Sequence, residues 1–233
     1  MGKSTVARPV PLALTALVAF FSALAALSVS SGMAMGHTGG HAMTMNATHS
    51  TELTAKSVAF HADMRKLWED HITWTRLAII SLEGNTPDTK VTVARLLRNQ
   101  ADLGNAVKPF YGATAGNALT KLLREHILIA ADLIAAAKAG DSAKVAEVQT
   151  QWTANADQIS SLLHGANPQN WPLATLKAEM HMHLKLTGEE AVAHLQGKWA
   201  ADVAAYDKVH THILHMSDLL ADGIVAQFPN RFR

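Results

Sequence analysis

The amino-acid sequence predicts an all-α protein, an antiparallel up-and-down bundle of about six helices, and three observations lead to this prediction. From Thr51 onward, apolar residues recur at steps of three and four, the period of an amphipathic helix. Short clusters with Gly, Pro, Asn or Asp separate these segments. No segment alternates between apolar and polar residues for long enough to predict a strand. Because the connections are short, consecutive helices are expected to run antiparallel.

Turn signals set the expected ends of the helices. The segment 84–87, Gly-Asn-Thr-Pro, puts a proline at a helix start. Gly140-Asp141 ends one helix and caps the next. The segment 167–172, from Asn-Pro to Trp-Pro, again combines a turn with a proline at a helix start. Pro109 and Gly112 are expected to break the chain between the second and third helices, although a kink would have the same signature. The predicted helices span 54–83, 87–107, 114–139, 141–165, 172–196 and 198–227.

The N-terminal segment predicts export from the cytoplasm. It has a basic start with Lys3 and Arg8, an uncharged apolar run over 10–29, and small residues after it. Cleavage is expected near Ala34, and an uncleaved membrane anchor is the alternative because the run is long. The protein is therefore expected to be periplasmic, cell-surface or secreted, with membrane contact only through this segment. The predicted organisation is 1–34 signal peptide or anchor, 35–50 flexible tail, and 51–233 helical domain.

The amino-acid composition limits the kinds of functional site that the sequence predicts. The formal net charge is only +1, and Lys3 and Arg8 belong to the export signal, so the sequence does not predict nucleic-acid binding. The absence of cysteine excludes disulfides and thiolate metal ligands. The unusual feature is thirteen histidines and nine methionines beside two tyrosines. Imidazole and thioether groups are therefore the candidates for function.

Counting along the helices predicts a polar layer at mid-height in the bundle. In antiparallel helices, residues equally far from the connecting turn lie at the same height, because each residue adds a fixed rise. Applied to every turn, this count finds six polar residues spaced by 27 to 29 positions. They are His71, Asn99, His126, Asn155, His183 and His212. The histidines among them also interrupt the apolar faces of their helices.

Internal similarity predicts two pseudo-repeated units. The segment 71–75, His-Ile-Thr-Trp-Thr, matches 183–187, His-Leu-Lys-Leu-Thr. The segment 126–133 likewise shares His-Ile-Leu and Asp-Leu with 212–219. The apolar periodicity of a helical bundle does not by itself require polar residues to match at these positions, so the match indicates a repeat.

The histidine layer predicts a metal site, with copper favoured because imidazole together with thioether suits this ion. The candidate ligands are His71, His126, His183, His212, His215 and Met216. Hydrogen-bond partners that would orient the imidazoles are Asn99, Asp102 and Asn155. The tail offers a looser set for capturing metal, namely His37, His41, His49, Met43 and Met45. The function expected from this reading is storage, buffering or delivery of the metal.

Other interpretations of the layer remain open. Zinc is an alternative metal, and b-type haem is an alternative cofactor with His183 and His212 as its axial pair. In a metal-free interpretation, the layer is a hydrogen-bonded network that sets helix register, and the inter-helix space receives a small ligand or a protein partner. The sequence contains no Glu-x-x-His pair, His-Glu-x-x-His motif, Walker loop or Gly-x-Ser-x-Gly motif, so it does not indicate an enzyme.

Three stretches resemble a poorly characterised set of exported bacterial helical proteins. They are 68–76 (Trp-Glu-Asp-His-Ile-Thr-Trp-Thr-Arg), 95–105 (Arg-Leu-Leu-Arg-Asn-Gln-Ala-Asp-Leu-Gly-Asn) and 206–214 (Tyr-Asp-Lys-Val-His-Thr-His-Ile-Leu). The resemblance covers most of 60–230 and implies export and a helical fold. Some members are named glycosyltransferase or acetylglutamate kinase, names that imply nucleotide sites, and this sequence has no motif for such a site.

Overall fold

The computed structural model describes residues 54–233, which form an all-helical bundle without strands. The predicted export segment and the tail lie outside the described residues. Five α-helices and one short 3-10 helix make up this part of the chain. Their bounds are α1 Ala55–Gly84, α2 Thr89–Ala139, α3 Ser142–Ala166, α4 Leu173–Leu195, α5 Trp199–Gln227 and the 3-10 helix Pro229–Arg231.

The helix α2 replaces the second and third of the six predicted helices. Helical hydrogen bonding continues through Pro109, and the only non-helical residue inside α2 is Gly112, with φ 82° and ψ 169°. Such a positive φ is accessible to glycine without steric cost. The expected loop is therefore reduced to a single residue.

Contacts across α2 show that the chain reverses at this residue. A Cβ atom placed on Gly104 would lie 2.6 Å from the carbonyl oxygen of Gly116. Arg124 donates a 3.1 Å hydrogen bond to the carbonyl oxygen of Leu97. In a straight helix, residues twelve apart would be about 18 Å apart. The two halves of α2 consequently lie side by side, and the bare backbone at Gly104 permits their close approach.

The predicted turn signals act at the other helix ends. Thr54 and Ser57 form a capping box at the start of α1. Asn85 and Gly140 adopt left-handed conformations after α1 and α2, with φ of 50° and 74°. The Asp141 carboxylate then accepts a 2.9 Å hydrogen bond from the Lys144 amide at the start of α3.

Neighbouring helices close into a ring around one principal core. The helix α1 packs against α2 and α5, α3 packs against α2 and α4, and α4 packs against α5. Trp171, which is 1% exposed, fills the space over Gly223, where a Cβ atom would lie 2.0 Å from the indole nitrogen. None of the helices in 54–233 is long and apolar enough to cross a membrane.

Candidate functional site

The six residues of the predicted polar layer lie inside the bundle. Five of them are at most 4% exposed, and the side chain of His212 is 11% exposed. His183 lies at the centre, with its ring centroid 5.8 Å from that of His71, 6.0 Å from that of His126 and 6.4 Å from that of His212. The structure thus brings together four histidines that are far apart in the chain.

The two asparagines of the layer tie neighbouring helices together. Asn99 donates to the carbonyl oxygen of Leu67 at 3.0 Å, which joins α2 to α1. Asn155 donates to the carbonyl oxygen of Leu122 at 3.1 Å, which joins α3 to α2. Each bond satisfies a polar side chain that is buried among apolar neighbours.

The bond to Leu122 also fixes the tautomer of His126. Because the Asn155 amide nitrogen faces a carbonyl group, its oxygen Oδ1 faces His126 Nδ1, at 2.9 Å. An amide oxygen only accepts, so Nδ1 carries the proton and Nε2 keeps its lone pair. Asn155 thus holds the ring of His126 by a hydrogen bond to Nδ1.

His71 has the opposite tautomer, set by Gln100, a residue that the sequence interpretation missed. The Gln100 amide nitrogen donates to the carbonyl oxygen of Leu96 at 2.8 Å and lies 3.3 Å from His71 Nδ1. The same amide nitrogen also lies 3.2 Å from Asn99 Oδ1, so its two hydrogens face three acceptors. Because this nitrogen only donates, it disfavours a proton on His71 Nδ1 and favours the tautomer with the ring proton on Nε2. Gln100 directly follows Asn99 in the sequence, and only the structure shows that both side chains reach the layer.

His212 is held at the edge of the layer by the backbone. Its Nε2 donates to the carbonyl oxygen of Glu179 at 3.0 Å. The candidate ligand His215 lies away from the layer, with a side chain 65% exposed and its Nε2 3.6 Å from Glu179 Oε1. Met216 is buried one turn beyond His212, among apolar residues below the layer.

Burial keeps these imidazoles uncharged. It lowers the pKa of His71 to about 3 and that of His126 to about 4. The pKa of His183 falls well below 6.5 because of burial and because other imidazoles surround it. The His183 nitrogen Nδ1 is buried without a hydrogen-bond partner. The layer is therefore uncharged, and its buried atoms without a hydrogen-bond partner include His183 Nδ1 and Gln100 Oε1.

The predicted metal ligands do not form a preassembled site. Within residues 54–233, no three His, Asp or Glu side chains are grouped so that they could hold a metal ion. His71 Nδ1 faces Gln100, and His215 faces Glu179 on the surface. No hydrogen bond joins the half-buried Asp102 to an imidazole in this part of the chain. The tail residues His37, His41, His49, Met43 and Met45 lie outside the described residues, and their metal binding stays a prediction.

Apolar cavities lie on both sides of the layer. The upper cavity measures about 50 Å³, and the lower one about 30 Å³. Half-buried residues such as Val93, Ile134 and Leu195 form the outer edge of the upper cavity. Its walls are almost wholly hydrocarbon and come from α1, α2, α3 and α4. One residue from each wall, in chain order, is Ala78, Leu96, Trp152 and Ala191.

Four polar residues line the upper cavity, namely Thr75, Glu83, Trp152 and Thr187. Three of them have a buried atom without a hydrogen-bond partner, which is Trp152 Nε1, Thr187 Oγ1 or Glu83 Oε2. Burial raises the pKa of Glu83 to about 8, against the opposing influence of Lys138. These three atoms are enclosed by protein, so the surface of the cavity itself is almost wholly hydrocarbon.

A buried charged cluster that the sequence interpretation also missed lies above the layer. Arg76 contacts Glu190 and Asp202, each at 2.8 Å, and His194 Nδ1 lies 3.0 Å from Asp202 Oδ2. Glu190 is fully buried, and this burial raises its pKa to about 7. Glu190 and His194 lie on the same face of α4 as His183, and this spacing in the sequence could have indicated that they are buried. Arg76 and Asp202 lie on other helices, and no sequence pattern links them to this face.

No protein-family model, no curated protein and no solved structure matches this sequence.

We predict that the folded domain is most stable at about pH 6. As pH falls from 6.5, the unfolded chain takes up protons at histidines whose folded pKa values are about 3 for His71 and about 4 for His126, so they lower stability. As pH rises from about 4.5, the unfolded chain loses protons at Glu190 and Glu83, whose folded pKa values are about 7 and about 8, so these groups lower stability in the other direction. Above pH 6.5 the histidines no longer oppose this loss, and stability falls. Urea midpoints measured from pH 4.5 to 9 will show this maximum.

A substitution at Glu83 separates the glutamate contribution to this pH dependence from the histidine contribution. Glu83→Gln should flatten the alkaline side, because it removes a carboxyl group that is costly to ionise in the folded state. Glu147→Gln, at a side chain that is 54% exposed, is the matched control and should leave the shape unchanged. In Glu83→Gln, where one opposing carboxyl group is gone, a urea midpoint that does not fall between pH 6.5 and 5 would mean that the layer is not neutral.

Proposed function

We propose that this chain is an exported, helical binding protein that holds a small, mostly apolar molecule in its upper cavity. The observation that supports the proposal most directly is an interior space between α1, α2, α3 and α4 whose walls are almost wholly hydrocarbon, with Glu83, Trp152 and Thr187 among its lining residues. Ligand sites typically combine apolar walls with a few polar groups that fix orientation. The export signal pattern of 1–34 supports the location.

In this proposal the histidine layer is the floor of the binding site and sets the register of the helices. The hydrogen bonds of His126, His71 and His212 each join two different parts of the chain. The side chains of such a buried polar network find their hydrogen-bond partners in one arrangement of the helices and lose them when a helix slides along its neighbour. The layer keeps the adjacent cavity from closing, because its side chains would lose their hydrogen bonds if they moved into the apolar space.

We predict that small apolar probes that suit a cavity of about 50 Å³, such as xenon and propane, raise the melting temperature of the full-length exported protein in a saturable manner, because they bind only the folded state. Ala191→Leu, which adds a side chain at the cavity wall, should abolish this rise and leave the protein folded. Ala146→Leu on the exposed face of α3 is the matched control and should bind as the unmodified protein does. An equal rise in Ala191→Leu would place the ligand elsewhere.

Copper binding by the layer is a second proposal, favoured by one specific observation. The Nδ1 atom of His183 has no partner, and His126 keeps a lone pair on Nε2, with the two ring centroids 6.0 Å apart. Imidazole nitrogens bind metals at about 2.0 Å, so two imidazoles on opposite sides of an ion have ring centres about 6 Å apart. A two-imidazole site suits copper better than zinc, which takes four ligands in structural sites.

We predict that the full chain binds one more copper(I) ion than either His126→Ala or His183→Ala. All three proteins contain the same tail, so the difference reports the layer alone. His210→Ala, at a surface residue that contacts Glu69, is the control and should keep the full stoichiometry. Copper titration against a chromophoric chelator measures the stoichiometry. Equal stoichiometry in all four proteins would exclude the layer as a copper site.

A further inference from the structure

The cavity below the histidine layer is surrounded by methionine side chains. Residues 54–233 contain four methionines, and one of them, Met182, is 45% exposed. The other three, Met64, Met180 and Met216, are at most 6% exposed, and all of them line this one cavity. The residues of 54–233 that line the upper cavity include no methionine. Every buried methionine in this part of the chain therefore lies beside the same small space.

The three methionines come from helices that pack beside one another. Met64 belongs to α1, Met180 to α4 and Met216 to α5, and α5 contacts both α1 and α4. Met180 precedes His183 by three residues, and Met216 follows His212 by four. Because α4 and α5 run antiparallel, both lie about 5 Å below the layer, and Met64 lies about one further turn down α1. Three helices thus each bring one thioether group to the lower cavity.

The size of the lower cavity suits a single ion better than an organic molecule. The cavity measures about 30 Å³, and one water molecule needs about 10 to 15 Å³ of such space. Thioether sulfur is soft and polarizable, and soft sulfur ligands select copper(I). Magnesium and calcium require oxygen ligands, and zinc is bound by thiolate, imidazole or carboxylate groups. Three thioethers around this space therefore favour copper(I).

Glu179 offers the negative charge that a cation in this interior needs. A cation between hydrocarbon walls would be costly without a charge of opposite sign nearby. Glu179 is among the residues that line the lower cavity, and its side chain is 21% exposed. Its carboxylate oxygens lie 3.6 Å from His212 Nδ1 and 3.6 Å from His215 Nε2. The carboxylate thus lies at the edge of the bundle, where it remains partly hydrated.

We propose that the lower cavity is a copper(I) site whose ligands are the thioether sulfur atoms of Met64, Met180 and Met216. This site goes beyond the proposed binding of an apolar molecule in the upper cavity, and it is separate from the imidazole pair of His126 and His183. Methionine has three rotatable bonds, so the sulfur atoms can close around an ion by side-chain rotation alone.

Methionine-to-leucine variants test this site, because leucine has a similar volume and no sulfur. We expect Met64→Leu and Met180→Leu each to bind one copper(I) ion fewer than the unmodified full-length protein, in anaerobic titration against a chromophoric chelator. Met182→Leu, at an exposed position two residues beyond Met180, is the matched control and should keep the full stoichiometry. All these proteins share the same tail and the same histidines, so the difference reports the lower cavity. Equal stoichiometry in all of them would overturn the proposal.

Methyl NMR of the unmodified protein gives a second test, which does not depend on any variant. The Cε methyl group of methionine is bonded to the sulfur atom, so its resonance reports metal binding at that residue. We expect copper(I) to shift the resonances of Met64, Met180 and Met216 together and to leave that of Met182 in place. Unshifted resonances of the three buried methionines at saturating copper(I) would exclude the site. Xenon binding tests the upper cavity separately, and Met64→Leu should leave it unchanged.

Discussion

Burying four imidazoles without charge is the constraint on which the rest of the structure depends. A charged imidazole in this interior would lose its hydration, and the low pKa values of His71 and His126 express that cost. A neutral imidazole still needs a partner for its nitrogen atoms, and Asn155, Gln100 and the backbone at Glu179 supply partners. The helices are thereby aligned in one register, since each partner comes from a different part of the chain.

The layer divides an otherwise apolar interior into two halves, each with its own cavity. Above it, Thr187 and Trp152 are among the lining residues of a cavity with hydrocarbon walls, and Glu83 lies farther along the same cavity. Below it, the cavity is lined by Trp68, whose indole nitrogen is unpaired. The unequal hydrogen bonding of Thr75 and Thr187 shows that similar sequence segments have different contacts on α1 and α4. The proposed binding function rests on the upper cavity, which is the larger of these two.

Much of the fold could be predicted from the sequence because helix rise and turn residues are local properties. The equal spacing of the six polar residues located the layer, and Gly140-Asp141 ended and capped helices as expected. The expected loop around Gly112 was wrong in extent, since one glycine with positive φ is enough to reverse the chain when Gly104 and Gly116 leave the backbone bare. Local signals do not report such a close approach.

The chemistry of the site depended on side-chain partners that sequence spacing does not specify. Which nitrogen of His126 carries a proton is decided by the amide orientation of Asn155, and that orientation is set by a carbonyl on another helix. Gln100 and Arg76 had no distinguishing pattern, because their partners come from distant segments. Equal height placed the histidines together, yet within residues 54–233 no three His, Asp or Glu side chains are grouped so that they could hold a metal ion.

The nitrogen NMR shifts of the buried imidazoles at pH 6 test the central claim most directly, because each shift reports whether a ring nitrogen carries a proton. We expect neutral rings for His71, His126 and His183, with the proton on Nδ1 of His126 and on Nε2 of His71. Substitution of Asn155 by Ala should release the His126 tautomer and leave that of His71. Imidazolium shifts for these three residues at pH 6 would contradict a neutral layer.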